Sequence, residues 1–297
     1  MKVLVTGAGG LLGSAVASLA SEEHEVFAAF NKHFPACGTA VKLDLLDGEG
    51  TAAAVAKVRP DAIVHSAALT DVDRCEANRD LAEKVNHDAT KALSKLAKRA
   101  GAFFLYVSTD YVFDGARGMY REEDQANPIN LYGLTKLRGE QAVEASGAEF
   151  CIARGSVIYG AHPAAGKVNF ALWLIENLRR GEHVRVLRDQ HVSPTLNLSF
   201  ARMILEALER RLTGIFHMAG ASRVSRYDFA VALADAFGLD PSLIEPVTMD
   251  EMKWVAKRPT DSSLDVSKAA SLLSEKPLLL PDALLKLKHA LTGGNES

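Results

Sequence analysis

The sequence predicts an α/β fold, a Rossmann-like doubly wound parallel sheet with a smaller C-terminal substrate-binding region. Three observations carry this. The chain opens on a short apolar run, Lys2–Thr6, followed at once by the glycine loop Gly7-Ala8-Gly9-Gly10-Leu11-Leu12-Gly13. Short apolar runs then alternate with helical patterns. One of those runs, Phe103–Val107, ends in Ser108-Thr109, and open α/β sheets bind ligands at the carboxyl ends of their strands.

Lys2–Thr6 reads as a strand, and a helix follows through about Ala20. Gly7 allows the tight turn between them, Gly10 lets backbone approach a pyrophosphate, and Gly13 lets helix and strand pack closely. The helix start, with Leu11 and Leu12, presents amides and a positive dipole to the phosphates. Glu25–Phe30 is the second strand. NAD-specific sites place Asp or Glu at its end to bind the ribose hydroxyls, whereas this chain has Asn31, Lys32 and His33. A carboxylate would repel a 2′-phosphate and Lys32 would attract one. NADPH is therefore the expected cofactor, with NADH the alternative if Lys32 is only a solvated loop residue.

Ala40–Asp44 is the third strand, an alanine-rich helix follows, and Asp61–His65 is the fourth strand. The small residues after it, Ser66, Ala67 and Ala68, leave room for a nicotinamide ribose against the backbone; tight packing alone would also explain them. His65 reads as a packed strand residue. Arg79–Arg99 reads as one long helix, with Leu81, Val85, Ala89, Leu93 and Leu96 at helical spacing. After the strand Phe103–Val107, Glu149–Val157 is a sixth strand, Asn169–Leu178 a helix, and Val184–Leu187 and Ile215–Ala219 short strands. Ser225 is a helix N-cap ahead of Phe229, Leu233 and Phe237. The expected division is a dinucleotide-binding domain over 1–160, rejoined by about 190–219, and a smaller region over 161–189 and 220–297. No clean linker separates the two, and the polar tail from Thr292 is expected to fray.

Chemistry concentrates between Tyr106 and Glu140. Tyr132 is the one tyrosine of six with a lysine four residues on, Lys136. Residues i and i+4 share a helix face, so the ammonium is expected near the phenol, lowering its pKa from roughly 10. That would make Tyr132 a general acid near neutral pH. Alone, such a pair is commonly a solvated surface pair. The preceding Ser108-Thr109 and the glycine loop give it a catalytic context, with Thr109 as the third member.

Composition narrows the alternatives. The 297 residues are 48% hydrophobic and 24% charged, with a net charge of −3, which supports a large core and gives no general basic surface for nucleic acid or anionic membrane. Cys37, Cys75 and Cys151 are odd in number and far apart, fitting free thiols in a reducing compartment. The chain opens directly on strand and glycine loop, which points to the cytoplasm, and no apolar run reaches membrane length. Histidines are scattered without metal-ligand spacing, so no metal is expected. No GxSxG elbow supports a hydrolase.

Through STDYVFDG, PINLYGLTKLRGE, RDQHVSPT and RPTDSSLD, the chain resembles the extended short-chain dehydrogenase/reductases, and within them the dTDP-4-dehydrorhamnose reductase family. The likeness runs from Met1 to about Leu273. It implies reduction of the C4 ketone of a nucleotide-linked 6-deoxy sugar, with a sugar nucleotide as partner molecule. Tyr132 would be the acid, Thr109 would hold the ketone oxygen, and Lys136 would bind the nicotinamide ribose. Asp44-Leu45 would lie near the adenine, Asn86 would support Lys136, and Asp110, Tyr111 and Val157 would line the sugar. Related 4,6-dehydratases read Thr-Asp-Glu where this chain has Thr109-Asp110-Tyr111, so the resemblance favours reduction over elimination. The reductases usually carry Trp at the position of Val157, which removes stacking area from the sugar pocket. A homodimer is common in the superfamily, though nothing in the sequence marks an interface. The regulatory subunit of methionine adenosyltransferase resembles the same reductases and is one alternative reading; another sugar-nucleotide oxidoreductase or epimerase is the other.

Overall fold

Seven parallel strands form the central sheet of the computed structural model, which describes residues 1–162 and 168–293. The first half of the winding is β1 (Lys2–Thr6), α1 (Leu11–Ala20), β2 (Glu25–Phe30), β3 (Thr39–Lys42) and α2 (Gly48–Val58). The second half comprises β4 (Ala62–His65), α3 (Val72–Ala77), α4 (Arg79–Glu83), α5 (Ala89–Ala100), β5 (Phe103–Thr109), α6 (Leu131–Glu144) and β6 (Phe150–Gly155). Beyond β7 (Ile158–Tyr159), α7 (Phe170–Arg179), β8 (Val184–Leu187), β9 (His191–Val192), β10 (Thr195–Leu196) and α8 (Asn197–Glu209), the chain returns to the sheet as β11 (Gly214–His217). The strand order is β11-β6-β5-β4-β1-β2-β3. It reverses between β1 and β4, where a doubly wound sheet opens its ligand crevice.

β4 and β5 are buried along their whole length, as parallel strands covered by helices on both faces must be. Alternate residues feed two cores. Val3, Val5 and Leu105 pack with Val16, Phe200 and Ile204 on one face. Leu4, Ile63, Phe104 and Tyr106 pack with Leu93 and Val143 on the other. A third core joins α7 and β8 to elements from the C-terminal segment. These are β12 (Val224–Ser225), α9 (Arg226–Phe237), β13 (Ile244–Val247) and α11 (Leu280–Thr292); α10 (Ser267–Leu272) instead packs its Ala269 into the first core. β13 pairs with β8 in parallel, away from the main sheet. Ser225 caps α9 through a capping box with Asp228.

Several boundaries differ from the sequence reading. The long helix over Arg79–Arg99 is interrupted by a π turn at Lys84–Asp88, a form that recurs at functional sites. There the Asn86 carbonyl accepts from the Thr90 hydroxyl at 2.8 Å. β5 extends to Thr109 because Ser108 and Thr109 still pair with Arg154 and Gly155 of β6. The sixth strand stops at Gly155, since Val157 turns to a φ of +42° and leaves the extended region. β3 stops at Lys42, placing Asp44 in the loop beyond it, and β11 is Gly214–His217 where Ile215–Ala219 was expected.

Candidate active site

The crevice between β1 and β4 is shaped by atoms that are missing from its glycines. Gly7 has a φ of +72°, and a Cβ there would lie 2.8 Å from the Ala67 amide nitrogen. A Cβ at Gly13 would lie 2.2 Å from the Gly7 carbonyl oxygen, so only glycine lets α1 start this close to β1. Gly10 would meet only that same oxygen, at 3.1 Å. No side chain caps α1, which leaves the amides around Leu11 and Leu12 for a ligand. Across the crevice, the Ser66 hydroxyl donates to the Thr6 carbonyl at 2.7 Å, fixing the Ser66-Ala67-Ala68 backbone. This cradle fits a dinucleotide pyrophosphate.

At the end of β2, Asn31, Lys32 and His33 are exposed. A Cβ at Gly9 would lie 2.5 Å from the His33 carbonyl oxygen, so this loop sits against the glycine loop. Lys42 of β3 donates to the Asn31 carbonyl and lies over the Phe30 ring, a second cation that periodicity did not single out. Asp44 is exposed and accepts from the Leu46 amide at 3.0 Å, with Leu45 half-buried beside it.

Thr109 ends β5, and Tyr132 and Lys136 lie on the first turns of α6. Asn130 caps that helix by accepting from the Gly133 amide at 2.8 Å, and its side chain also donates to the Lys257 carbonyl at 3.0 Å. A Cβ at Gly133 would lie 2.0 Å from the Tyr111 carbonyl oxygen. The residue after Tyr132 must therefore be glycine for α6 to rest on the end of β5. Tyr111 meets Tyr132 edge to face, ring centres 5.9 Å apart.

The electrostatic expectation for the pair is corrected. Lys136 does not lower the Tyr132 phenol; burial raises it above the usual tyrosine range, with the neighbouring Thr109 hydroxyl acting the other way. The shared helix face turns toward the sheet, where the Lys136 ammonium donates to the Val107 carbonyl at 2.7 Å and lies 4.0 Å from the centre of the Tyr106 ring. Burial brings Lys136 down to about 7, against the upward pull of Glu140.

Behind this pair is a buried ion pair that the sequence reading missed. Glu140 accepts from Arg154 at 2.7 and 2.9 Å and from the Ser108 hydroxyl at 2.5 Å. Its one legible sign was spacing, since Glu140 lies four residues beyond Lys136. Asp110 is the other hub. It accepts from Thr109 at 3.0 Å, Ser156 at 2.8 Å and Ser262 at 2.6 Å. Burial pushes its carboxyl up, and the three hydroxyls oppose that. Ser262 belongs to RPTDSSLD, so this motif closes against the end of β5. Val157 is half-buried, with its carbonyl accepting from the Thr195 amide at 3.2 Å.

Asn86 is buried and does not bond Lys136. It accepts from the Leu69 amide at 2.8 Å and donates to Thr135 at 3.1 Å, joining the loop after β4 to α6. His65 is packed as expected, between the Thr6 and Thr90 hydroxyls at 2.7 and 3.0 Å, and burial takes it down to about 3. Among the described residues no cluster of acidic, histidine and cysteine side chains is suited to a metal, and no helix is long and apolar enough to cross a membrane.

The family model described as the RmlD substrate binding domain matches residues 1–285. The chain is 35% identical over 296 residues to the probable low-salt glycan biosynthesis reductase Agl14 of Haloferax volcanii, covering 98% of this chain and 99% of that protein. It is 36% identical over 282 residues to methionine adenosyltransferase 2 subunit beta of Pongo abelii, covering 91% of this chain and 82% of that one. Among solved structures, a hypothetical dTDP-4-dehydrorhamnose reductase from Sulfolobus tokodaii superposes with a TM-score of 0.85 at 40% identity, covering 95% and 99% of the two chains. The dTDP-4-dehydrorhamnose reductase of Bacillus anthracis, in complex with NADP, gives a TM-score of 0.87 at 29% identity, covering 97% and 98%.

Proposed function

We propose, from the premise that this chain belongs to the RmlD substrate binding domain family, that it is an NADPH-dependent reductase acting on the C4 ketone of a nucleotide-linked 6-deoxy sugar. The substrate proposed is dTDP-4-dehydrorhamnose and the product dTDP-L-rhamnose. The observation that carries the reading is the position of Thr109, Tyr132 and Lys136 at the carboxyl end of β5, with the glycine cradle two strands away. NAD(P)H in that cradle supplies the hydride. Residues 1–160 with about 190–219 would hold it, and 161–189 with 220–297 would hold the sugar nucleotide.

The chain's own residues would then act as follows. Gly7, Gly10, Gly13 and the amides at Leu11 and Leu12 take the pyrophosphate. Ser66, Ala67 and Ala68 bound the nicotinamide ribose, Asp44 and Leu45 the adenine, and Asn31 and Lys32 a 2′-phosphate. Lys136 holds the nicotinamide ribose. Thr109, whose hydroxyl donates to buried Asp110 in the free site, would turn that proton onto the ketone oxygen. Tyr132 gives its proton to that oxygen as the alkoxide forms, and solvent returns a proton to the phenolate. A raised phenol pKa suits this role, because the hydroxyl stays protonated and an alkoxide is a stronger base than phenolate. Tyr111 and Val157 flank the sugar. Cytoplasmic location and a homodimer complete the proposal.

The test is NADPH oxidation by the purified protein given dTDP-4-dehydrorhamnose, with Tyr132→Phe alongside. The substitution is expected to cost at least ~10²-fold in turnover while NADPH binding persists. Absence of turnover by the parent protein would sink the substrate. The similarity to methionine adenosyltransferase 2 subunit beta favours one second reading, a dinucleotide-holding regulatory subunit. Co-purification with a synthetase, without turnover of a sugar nucleotide, would select it.

A further inference from the structure

Arg226, the first residue of α9, is a half-buried arginine at the cleft without a counter-ion. Among the described residues no carboxylate lies within ion-pair distance of it, and its terminal guanidinium nitrogens have no hydrogen-bond acceptor. Its Nε reaches only the Gln190 amide oxygen, at 3.4 Å, and the guanidinium lies over the Phe170 ring, 5.3 Å from its centre. Its neighbours are otherwise committed. Asp228 is taken by Ser225 in the capping box. Arg258 is paired with Asp73 at 3.0 Å.

Its surroundings place it on the sugar side of the cleft. Gln190 is buried, precedes β9, and donates to the Pro259 carbonyl at 3.2 Å, next to Arg258. β9 and β12 pair antiparallel, which brings the start of α9 over that glutamine. The charges acting on Arg226 are those of Tyr111, Asp110 and Arg258, and burial pulls its pKa down. Tyr111 is in turn the ring that meets Tyr132. Its terminal nitrogens are not sealed from solvent, so an anion entering the cleft can reach them, and the planar fork of a guanidinium suits phosphate.

We propose that Arg226 binds a phosphate of the substrate's nucleoside diphosphate. This rests on the reading of the cleft as a sugar-nucleotide site.

The experiment is calorimetric titration of the NADPH-loaded full chain with thymidine diphosphate, UDP-glucose and UDP-glucuronate, comparing wild type, Arg226→Lys and Arg226→Gln. Arg226→Gln is expected to weaken binding by tenfold or more, and Arg226→Lys by less, since it keeps the charge and loses the fork. Unchanged NADPH affinity shows that each variant is folded. An equal loss for all three probes supports the phosphate assignment; a loss confined to UDP-glucuronate would place the guanidinium at the sugar and overturn it. Wild-type affinity of Arg226→Gln for every probe would overturn the proposal alone. If the wild type binds none of the probes, the sugar-nucleotide reading of the cleft fails, and this proposal with it.

Discussion

The Lys136 ammonium lies 4.0 Å from the centre of the Tyr106 ring, inside the fold. The negative face of that ring offsets part of the cost of burying the charge, and Lys136 still falls from its ordinary 10.5 to about 7. If the ammonium binds the nicotinamide ribose, NADPH affinity should weaken as pH rises through about 7, because the required proton is lost. Tyr106→Leu removes the ring and should move that midpoint to lower pH. Tyr106→Phe keeps the ring and should leave it in place. NADPH titrations across the neutral range check both, and equal midpoints for the Leu and Phe variants would contradict the account.

Gly133→Ala should damage the site without touching any catalytic side chain. The new Cβ would lie 2.0 Å from the Tyr111 carbonyl oxygen, a backbone atom that cannot swing aside. Overpacking of this kind costs about 1–3 kcal/mol, and α6 must shift with Tyr132 on it. Thermal melting together with turnover is the measurement, with both expected to fall.

Glu140→Gln should be among the most damaging single changes. It leaves the Arg154 guanidinium, 3% exposed, without its carboxylate partner. Breaking a buried pair from one side costs about 3–5 kcal/mol. Urea unfolding should show an unfolding free energy lower by that amount, with a lower midpoint; a midpoint near the parent's would mean that Arg154 finds another partner.

Val157 holds a φ of +42°, a region hostile to β-branched residues, where strain costs of order 1–3 kcal/mol. Val157→Gly should therefore stabilise the fold by about 1 kcal/mol after the entropy lost by glycine is set against the relief. A raised melting temperature is the expected outcome. A lowered one would show that packing of the valine outweighs its backbone strain.

How much of this was legible beforehand depends on the range of the interaction. The strand–glycine loop–helix opening, the apolar runs, the N-cap at Ser225 and the grouping of Thr109, Tyr132 and Lys136 are local patterns. Backbone sterics and i,i+4 geometry act over a few residues, and those patterns can be read without the fold. The break at Lys84–Asp88 could not be read this way, because the Asn86 side chain that joins it to the site bonds Leu69 and Thr135, far along the chain.

The sequence by itself determined the fold class, the dinucleotide cradle and the identity of the candidate acid. Tertiary structure alone decided where the charges go. The helix face shared by Tyr132 and Lys136 turns toward β5, so the lysine serves a backbone carbonyl and an aromatic ring and leaves the phenol alone. Glu140 finds Arg154, Asp110 finds Ser156 and Ser262, and Arg226 is left without a counter-ion. The physical reason is that a charge takes its pKa and its partner from burial and from neighbours brought together by folding, neither of which is written in local spacing.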